Sequence, residues 1–250
     1  MTGNGNRVVP TSTALQARVA VFQSSQRPRY RSGDWAETAH GKCRVRGRIG
    51  QRHADLLESM LYMAERYREA SDDGVELLVD PAAVRRSLSR QYSYSGIQDL
   101  MTDLRAVSIE IVTPAMTESG DRIIGGMIDH VIPSPKTRVD PLTGRDRYLW
   151  RVRLGIALVM LLDRDLYLHY EPTPIARLRH GISQAVARYT LTHKRAPPGG
   201  WHVDTVIRAV CGSKIKGQDL RNGRRRLNED REGLKDIGLA ITDEKRVIRC

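Results

Sequence analysis

The chain has 250 residues, with 41 Lys and Arg against 29 Asp and Glu, so its formal net charge is +12. This excess of positive charge favours a polyanionic partner such as DNA, RNA or an anionic membrane. The longest apolar run, Leu154 to Leu162, is well short of the ~18 residues that span a bilayer, and the opening MTGNGNRVVP lacks an apolar signal segment, so we expect neither membrane insertion nor secretion.

The cysteine and aromatic content bears on the cellular compartment, on disulfide or zinc sites and on the mode of nucleic-acid binding. Cys43, Cys211 and Cys250 lie far apart without CxxC spacing. This pattern favours a reducing, cytoplasmic compartment and argues against a disulfide framework or a zinc site. Aromatic residues are only 5% of the chain, so stacking on single-stranded bases is not expected to be the main mode of binding.

Residues 1–47 form a polar, basic segment rich in Gly, Ser, Thr and Arg. We expect a poorly ordered tail that carries one short helix near Ala14–Phe22. Its arginines could form an arm that contacts DNA, but composition alone favours a solvated terminus.

The pattern changes at Gln51, where apolar residues recur at helical spacing as far as the turn that begins at Ser71. Val75–Val79 is predicted to be a short strand. Asp80 and Pro81 are typical of a helix start, an N-cap followed by proline, and the helix they open is predicted to reach Ser89.

A second helix is predicted from Ser95 to Arg105, after a turn at residues 90–94. Its buried face would hold Ile97, Leu100, Met101 and Leu104, and its outward face would present Gln98, Asp99, Thr102 and Arg105. Residues 107–112 alternate like a strand, and residues 122–132 are their predicted partner in a hairpin.

The middle of the chain is less regular. Residues 133–147 contain prolines and basic residues and are predicted to be a loop. Strands are predicted at 148–154 and 166–170, whereas 155–162 fits either a buried helix or a strand. Helices are predicted at 173–179 and 183–193, before the breaker sequence APPGG at 196–200.

The stretch 214–236, KIKGQDLRNGRRRLNEDREGLKD, is the most informative. Wound as a helix from Gly217, it places three leucines on one stripe and arginines on the far side. The stripe is Leu220, Leu227 and Leu234; the far side holds Arg221, Asn222, Arg225 and Arg226, with Arg224 beside them. Such a helix suits insertion into a DNA major groove, although a solvated basic helix has the same composition.

A similar order of elements occurs twice in the chain. Val79-Asp80 and Val203-Asp204 each open a helix, which is followed by a turn, a second helix and an alternating segment. The second alternating segment, 238–242, is predicted to pair with 246–249 across a turn at 243–245. The sequence therefore predicts an α+β fold with two tandem winged helix-turn-helix domains, at 48–165 and 166–250, after the tail at 1–47.

This fold predicts contacts to duplex DNA from both domains. In the C-terminal domain, Arg221, Arg225 or Arg226 would chelate guanine and Asn222 would pair with adenine. Arg224 lies beside them on the predicted DNA-binding surface, and Lys214, Lys216 and Lys245 would bind phosphates. In the N-terminal domain the predicted contacts are Gln98, Thr102, Tyr92 and Tyr94 near the groove, and Arg85, Arg86 and Arg90 on the backbone.

The chain also resembles a known family. Cys211-Gly212-Ser213, Arg224-Arg225-Arg226 and Leu234–Leu239 before a terminal hairpin resemble the C-terminal winged helix of plasmid replication initiators of the TrfA and RepC types, which are related to the RepA/RepE group. Asp55-Leu56-Leu57, Val84-Arg85 and Leu100–Leu104 agree with the N-terminal half. The resemblance implies binding to repeated origin sites (iterons), opening of an adjacent AT-rich region and recruitment of the host replicative helicase and initiator. The protein would span one iteron as a monomer, and a homodimer remains an alternative.

No enzyme is predicted. A GxxxxGK[ST] phosphate loop is absent, no pair of histidines has the spacing of a metal-dependent nickase, and Asp163 and Asp165 lack a third acid nearby. We therefore expect no cofactor and no metal.

Two other functions remain open at the level of sequence. A winged-helix transcriptional repressor would use the same contacts with a different consequence. A non-specific RNA-binding or chromatin-like packaging protein would have no preferred sequence and a steep salt dependence.

Overall fold

The computed structural model describes residues 10–69, 74–88, 92–140, 143–164, 167–213 and 215–250. Within these ranges the fold is mixed α+β, with helices packed on antiparallel sheets. Buried apolar side chains form two clusters, which divide the chain into an N-terminal unit (residues 10–168) and a C-terminal unit (residues 173–250). None of the helices described here combines the length and the apolarity that a membrane span requires.

The N-terminal unit contains ten strands and six helices among the described residues. Its helices are α1 (Ala14–Arg18), α2 (Gln51–Met63), α3 (Pro81–Ser87), α4 (Tyr94–Ala106), α5 (Pro114–Ser119) and α6 (Ile156–Arg164). Its strands are β1 (Ser12–Thr13), β2 (Arg31–Thr38), β3 (Gly41–Gly47), β4 (Arg66–Glu69), β5 (Val75–Val79), β6 (Ser108–Val112), β7 (Ile123–Gly125), β8 (Ile128–Val139), β9 (Asp146–Leu154) and β10 (Tyr167–Leu168).

The C-terminal unit is smaller. Its elements are α7 (Thr173–Ala176), α8 (Gly181–Leu191), β11 (Trp201–His202), α9 (Val203–Cys211), α10 (Gly217–Glu229), α11 (Arg231–Lys235), β12 (Leu239–Ile241) and β13 (Arg246–Arg249). The predicted terminal hairpin is confirmed, because β12 and β13 pair in antiparallel register from Leu239↔Arg249 to Ile241↔Val247.

The two units repeat one arrangement. In the C-terminal unit the chain passes through α8, β11, α9 and α10 before the β12–β13 hairpin, and the strands lie in the order β11-β13-β12. In the N-terminal unit it passes through α2, β5, α3 and α4 before the β8–β9 hairpin, and the strands lie in the order β5-β9-β8. The order helix, strand, helix, helix, hairpin therefore occurs in both units, although β6, α5 and β7 interrupt it in the N-terminal unit and α11 interrupts it in the C-terminal unit.

The hairpin that completes the N-terminal repeat differs from the predicted one. Residues 108–112 and 123–125 do pair, as β6 and β7, but they belong to a separate sheet of order β2-β3-β6-β7. The hairpin next to β5 is β8–β9, which covers most of the predicted loop at 133–147. Prolines are tolerated in β8 because this strand lies at the edge of its sheet and the register shifts between Pro133 and Thr137.

The prediction of a poorly ordered segment before residue 48 is wrong for residues 10–48. The short helix is present as α1, and β2 and β3 form a hairpin whose second strand pairs with β6, from Lys42↔Val112 to Arg46↔Ser108. Cys43 and Val45 alternate with basic residues and have no exposed surface. Alternate residues of this strand are buried, but the many arginines between them made the segment look like a solvated tail in the sequence.

Two helix ends also differ from prediction. The first helix stops at Met63, and residues 66–69 form β4, which pairs with β5. The basic helix stops at Glu229 rather than continuing to Asp236, because the side chain of Asp230 turns away to accept hydrogen bonds from the backbone of Arg179 and His180, both at 2.9 Å. Leu220, Leu227 and Leu234 are nevertheless all buried as predicted, the last of them on α11.

A buried polar cluster joins the two units. The guanidinium of Arg188 on α8 donates to Glu58 (2.7 Å), Asp55 (2.7 Å) and Gln51 (2.7 Å) on α2. Gln184, one turn earlier on α8, donates to Asp55 at 3.0 Å. Burial alone would lower the pKa of Arg188, but the charges of Glu58 and Asp55 raise it well above its ordinary value, so the guanidinium stays ionised.

Candidate nucleic-acid interface

The outward face of α10 carries the side chains that the sequence assigned to base recognition. The helix packs against α8 and α9 through Leu220, Gly223 and Leu227. At Gly223 an added Cβ would lie 3.0 Å from Ile182 Cδ1 and 3.2 Å from Ile207 Cδ1, so glycine lets the helices approach closely. Arg221, Arg225 and Arg226 are exposed on the opposite face, and Asn222 is half-buried.

Polar contacts order this face along the helix axis. Arg221 Nε donates to Gln218 Oε1 at 3.1 Å, and Gln218 Nε2 donates to Asn222 Oδ1 at 3.2 Å. Arg225 Nη1 donates to Glu229 Oε1 at 2.8 Å. The hydrogen bond from His180 is the largest cause that lowers the pKa of Glu229, and the charges of Arg225 and Arg179 add to it. These contacts are exposed and exchangeable, so a ligand can replace them at small cost.

Arg224 has a different position from its neighbours. It forms a bidentate ion pair with Asp204 at the start of α9, with Arg224 Nε 2.6 Å from Asp204 Oδ1. These hydrogen bonds are the main cause that lowers the pKa of Asp204 below its ordinary value. The sequence did not predict this partner for Arg224, whose guanidinium joins α9 to α10, and its contact with DNA stays a prediction.

The lysines assigned to phosphates lie at the two ends of this surface. Lys216 is the exposed residue before the first turn of α10, and Lys245 is exposed at the tip of the β12–β13 hairpin with a φ of 59°. Lys214 lies outside the described residues. Lys216 and Lys245 are therefore exposed at a helix entrance and at a hairpin tip.

In the N-terminal unit, α4 is the counterpart of α10. Its predicted buried face is confirmed in full, and Tyr94, Gln98 and Thr102 are exposed on the other side. Ser93 caps the helix by accepting a hydrogen bond from Gly96 N at 3.0 Å. Arg85 and Arg86 are exposed in the last turn of α3 and have no ion-pair partner among the described residues, whereas Arg90 lies outside those residues.

Tyr92 does not reach the surface. It is 6% exposed, its hydroxyl donates to Asp55 Oδ2 at 2.5 Å, and the guanidinium of Arg52 lies 4.5 Å from its ring centre. Burial, with the adjacent carboxylate, raises the pKa of Tyr92. The expectation of a DNA contact from Tyr92 is wrong. Tyr92 was predicted to be exposed because it lies in a turn sequence, and its packing on α2 follows only from the tertiary structure.

The β8–β9 hairpin, which was not predicted from the sequence, also carries exposed basic side chains. Lys136 and Arg145 are exposed on it, and Arg147 is bound by Asp80 (2.6 Å) and Asp140 (2.6 Å) near the hairpin end. Burial alone would raise the pKa of Asp80, but the hydrogen bonds from Arg147 and from the backbone at Ala83 and Ala82 lower it. The basic residues of 133–147 were a usable signal, but the prolines favoured a loop.

Taken together, the described residues provide two exposed helix faces, each preceded by a shorter helix and followed by a hairpin. Among these residues no group of three or more His, Cys, Asp or Glu side chains is placed to hold a metal ion. Comparisons with protein-family models, with curated proteins and with solved structures found no match to this chain.

Proposed function

We propose that the chain is a sequence-specific duplex DNA-binding protein with two tandem winged helix-turn-helix domains, acting as a plasmid replication initiator. The observation that carries the proposal is the outward face of α10, where Arg221, Asn222 and Arg225 lie side by side on a helix anchored by Leu220 and Leu227. The strand order β11-β13-β12 around α9 and α10 supports the winged-helix assignment.

Base recognition would come from α10. An arginine guanidinium can chelate O6 and N7 of guanine, and an asparagine amide can pair with N6 and N7 of adenine. Arg225 and Arg221 suit the first role and Asn222 the second, since all three lie on the face away from α8 and α9. Lys216 and Lys245 would bind phosphates on either side and set the register of the helix.

A second groove segment would be contacted by α4. Gln98, Thr102 and Tyr94 are exposed along one side of this helix, with Arg85 and Arg86 on the preceding helix for the backbone. Because the buried cluster around Arg188 connects the two units, α4 and α10 would approach the duplex together. Two such helices contact sites about one helical turn apart.

The initiator role rests on the resemblance to the TrfA and RepC types and on the duplicated topology. It would comprise binding to iterons, opening of an AT-rich region and recruitment of the host helicase, in the cytoplasm. A repressor or a packaging protein would share the basic surface, so the experiment has to separate these functions.

The test begins with selection of binding sites from random duplexes by the purified protein. We expect one enriched sequence. Arg225→Ala should then cost about 1–3 kcal/mol on that sequence and relax its preference at one or two base pairs, whereas Lys216→Ala should weaken cognate and random duplexes equally. The absence of any enriched sequence, with the same salt dependence on all duplexes, would favour non-specific packaging and overturn the proposal.

Origin opening is tested separately. A supercoiled plasmid that carries repeats of the selected sequence beside an AT-rich stretch should become reactive to permanganate in that stretch when the protein is added. Tight binding to the repeats without such reactivity, in the presence of host replication proteins, would leave the repressor as the function and overturn the initiator role.

A further inference from the structure

Two loops, 23–30 and 177–180, take part in a chain of contacts that connects the residues ahead of α4 with the end of α10. Tyr92, ahead of α4, contacts Asp55, which in turn accepts a hydrogen bond from Gln184 on α8. Gln26 in the loop at 23–30 lies 3.4 Å from Gln184 and donates to the backbone of Leu178 at 3.2 Å. The segment 177–180 then reaches α10 through Asp230.

The loop at 23–30 is held in one conformation. The side chain of Gln23 bonds both the carbonyl (2.6 Å) and the N–H (3.2 Å) of Arg29, and the hydroxyl of Ser25 bonds the backbone of Arg27 at 3.1 Å. The carbonyl of Ser25 also accepts from Gln51 N at 2.9 Å. The backbone at both arginines is therefore fixed, while their side chains point outward.

The exposed charge of the two loops is entirely positive. Arg27, Arg29, Arg177 and Arg179 are exposed, and neither 23–30 nor 177–180 contains an acidic residue. Within the part of the chain that the structure describes, Arg27, Arg29 and Arg177 have no ion-pair partner, and Arg179 lies near Glu229. We name these four residues the arginine patch. Exposed positive charges on two loops that contact each other through Gln26 and Leu178 favour a polyanion.

We propose that the arginine patch binds the phosphate backbone of duplex DNA between the two groove segments contacted by α4 and α10. This inference rests on the proposed function. When two recognition helices lie in successive major grooves, about 34 Å apart, the minor groove and its flanking phosphates face the protein midway between them. The patch lies on the chain of contacts that joins the two helices, so it meets those central phosphates.

Contact with phosphates requires less of a side chain than contact with base edges. It needs charge within reach of the backbone but no base-specific geometry, and lysine can supply this charge as a point cation. The patch therefore contributes affinity and salt dependence to every duplex, while α10 contributes discrimination.

The experiment compares full-length wild-type protein with Arg27→Ala/Arg29→Ala and with Lys194→Ala/Arg195→Ala, which removes two exposed charges at the opposite end of α8. Dissociation constants on the selected duplex are measured over a range of salt. We expect the patch variant to lower the slope of log K against log salt by about 2, because each phosphate contact contributes about 0.9. The control variant should retain the wild-type slope, and Arg27→Lys/Arg29→Lys should restore most of it.

Neutral methylphosphonates locate the contact. Placed at the centre of the selected duplex, they should weaken binding by the wild-type protein more than binding by the patch variant, which keeps only Arg177 and Arg179 of the patch. A wild-type slope in the patch variant, together with specific binding by the wild-type protein, would overturn the patch and leave the proposed function intact. Failure of the wild-type protein to select any duplex would overturn both.

Discussion

Arg224 on α10 and Asp204 on α9 form a bidentate ion pair, with Arg224 Nε 2.6 Å from Asp204 Oδ1. This contact separates Arg224 from Arg225, the next residue, which is exposed and paired only within its own helix. Neighbours in a run of three arginines therefore have different partners, and they are expected to have different roles.

The first prediction follows from that difference. Arg224→Ala and Asp204→Ala should each lower the free energy of unfolding by about 1 kcal/mol, a value kept small because Arg224 is partly exposed. Arg225→Ala should change the free energy of unfolding by less than about 0.5 kcal/mol, since it loses only an exposed pair within the helix. Thermal denaturation of the three variants measures the effect. Equal stabilities of Arg224→Ala and the wild type would contradict the assigned role.

Tyr92 and Tyr94 provide a matched pair of Tyr→Phe changes. Tyr92→Phe removes the hydrogen bond to buried Asp55 and should cost about 1–3 kcal/mol of stability. Tyr94→Phe should leave stability unchanged, because the Tyr94 hydroxyl has no hydrogen-bond partner among the described residues and the ring, 51% exposed, keeps its contact with Trp150. Urea denaturation distinguishes them, and a stable Tyr92→Phe protein with weakened DNA binding would restore Tyr92 to the interface.

Arg188 should be among the most sensitive positions of the chain. Its replacement by Met leaves the buried carboxylates of Asp55 and Glu58 without their cation, at an expected cost of about 3–5 kcal/mol. Arg188→Lys keeps the charge but cannot donate to Gln51, Asp55 and Glu58 together, so an intermediate loss is expected. Denaturant titration gives the order wild type, Lys, Met from most to least stable. A Met variant as stable as the wild type would show that the cluster is dispensable.

Stability should fall as the pH is lowered through the ordinary range of histidine. Burial is the largest cause that lowers the pKa of His53 below 6.5, and burial likewise lowers the pKa of His40 and His193. A folded-state pKa below the unfolded value means that the unfolded chain takes up protons first, so stability is present above about pH 6.5 and is lost as the pH falls towards the folded-state values.

His53→Asn tests one of these contributions. The Nδ1 atom of His53 accepts from Gly50 N at 3.2 Å, and an asparagine oxygen can accept in its place without titrating. The melting temperature of the variant, measured from about pH 7.5 to about pH 5.5, should depend less on pH than that of the wild type. An unchanged slope would show that His53 is not the group responsible.

The helices were predicted well from local sequence because capping residues and apolar periodicity lie within each helix or next to it. The Asp80 cap with Pro81 and the apolar stripe of α4 are both contained within a few residues of the elements they define. The leucine stripe of α10 was equally visible. The ends of α2 at Met63 and of α10 at Glu229 were missed. The second of them depends on the backbone of residues 179 and 180, some fifty positions away in the chain.

The sheets were harder to predict because pairing is non-local. β3 pairs with β6 across the whole of α2, α3 and α4, and β5 pairs with β9 across the β6–β7 insertion. No window of sequence contains either pair. For the same reason the exposed faces of α4 and α10 were predicted from the sequence, whereas the β8–β9 hairpin was missed because its position follows from tertiary contacts.

The pairing of β3 with β6 has a practical consequence for anyone who trims this protein. A fragment that starts at residue 48 looks like a sensible truncation of a basic tail, but it would strip the partner from β6 and uncover Ile109 and Ile111, which have no exposed surface in the intact chain. A bare hydrophobic strand edge is a template for aggregation. Expression of the shortened polypeptide should therefore yield insoluble material, and the smallest soluble product should retain the hairpin that begins at Arg31.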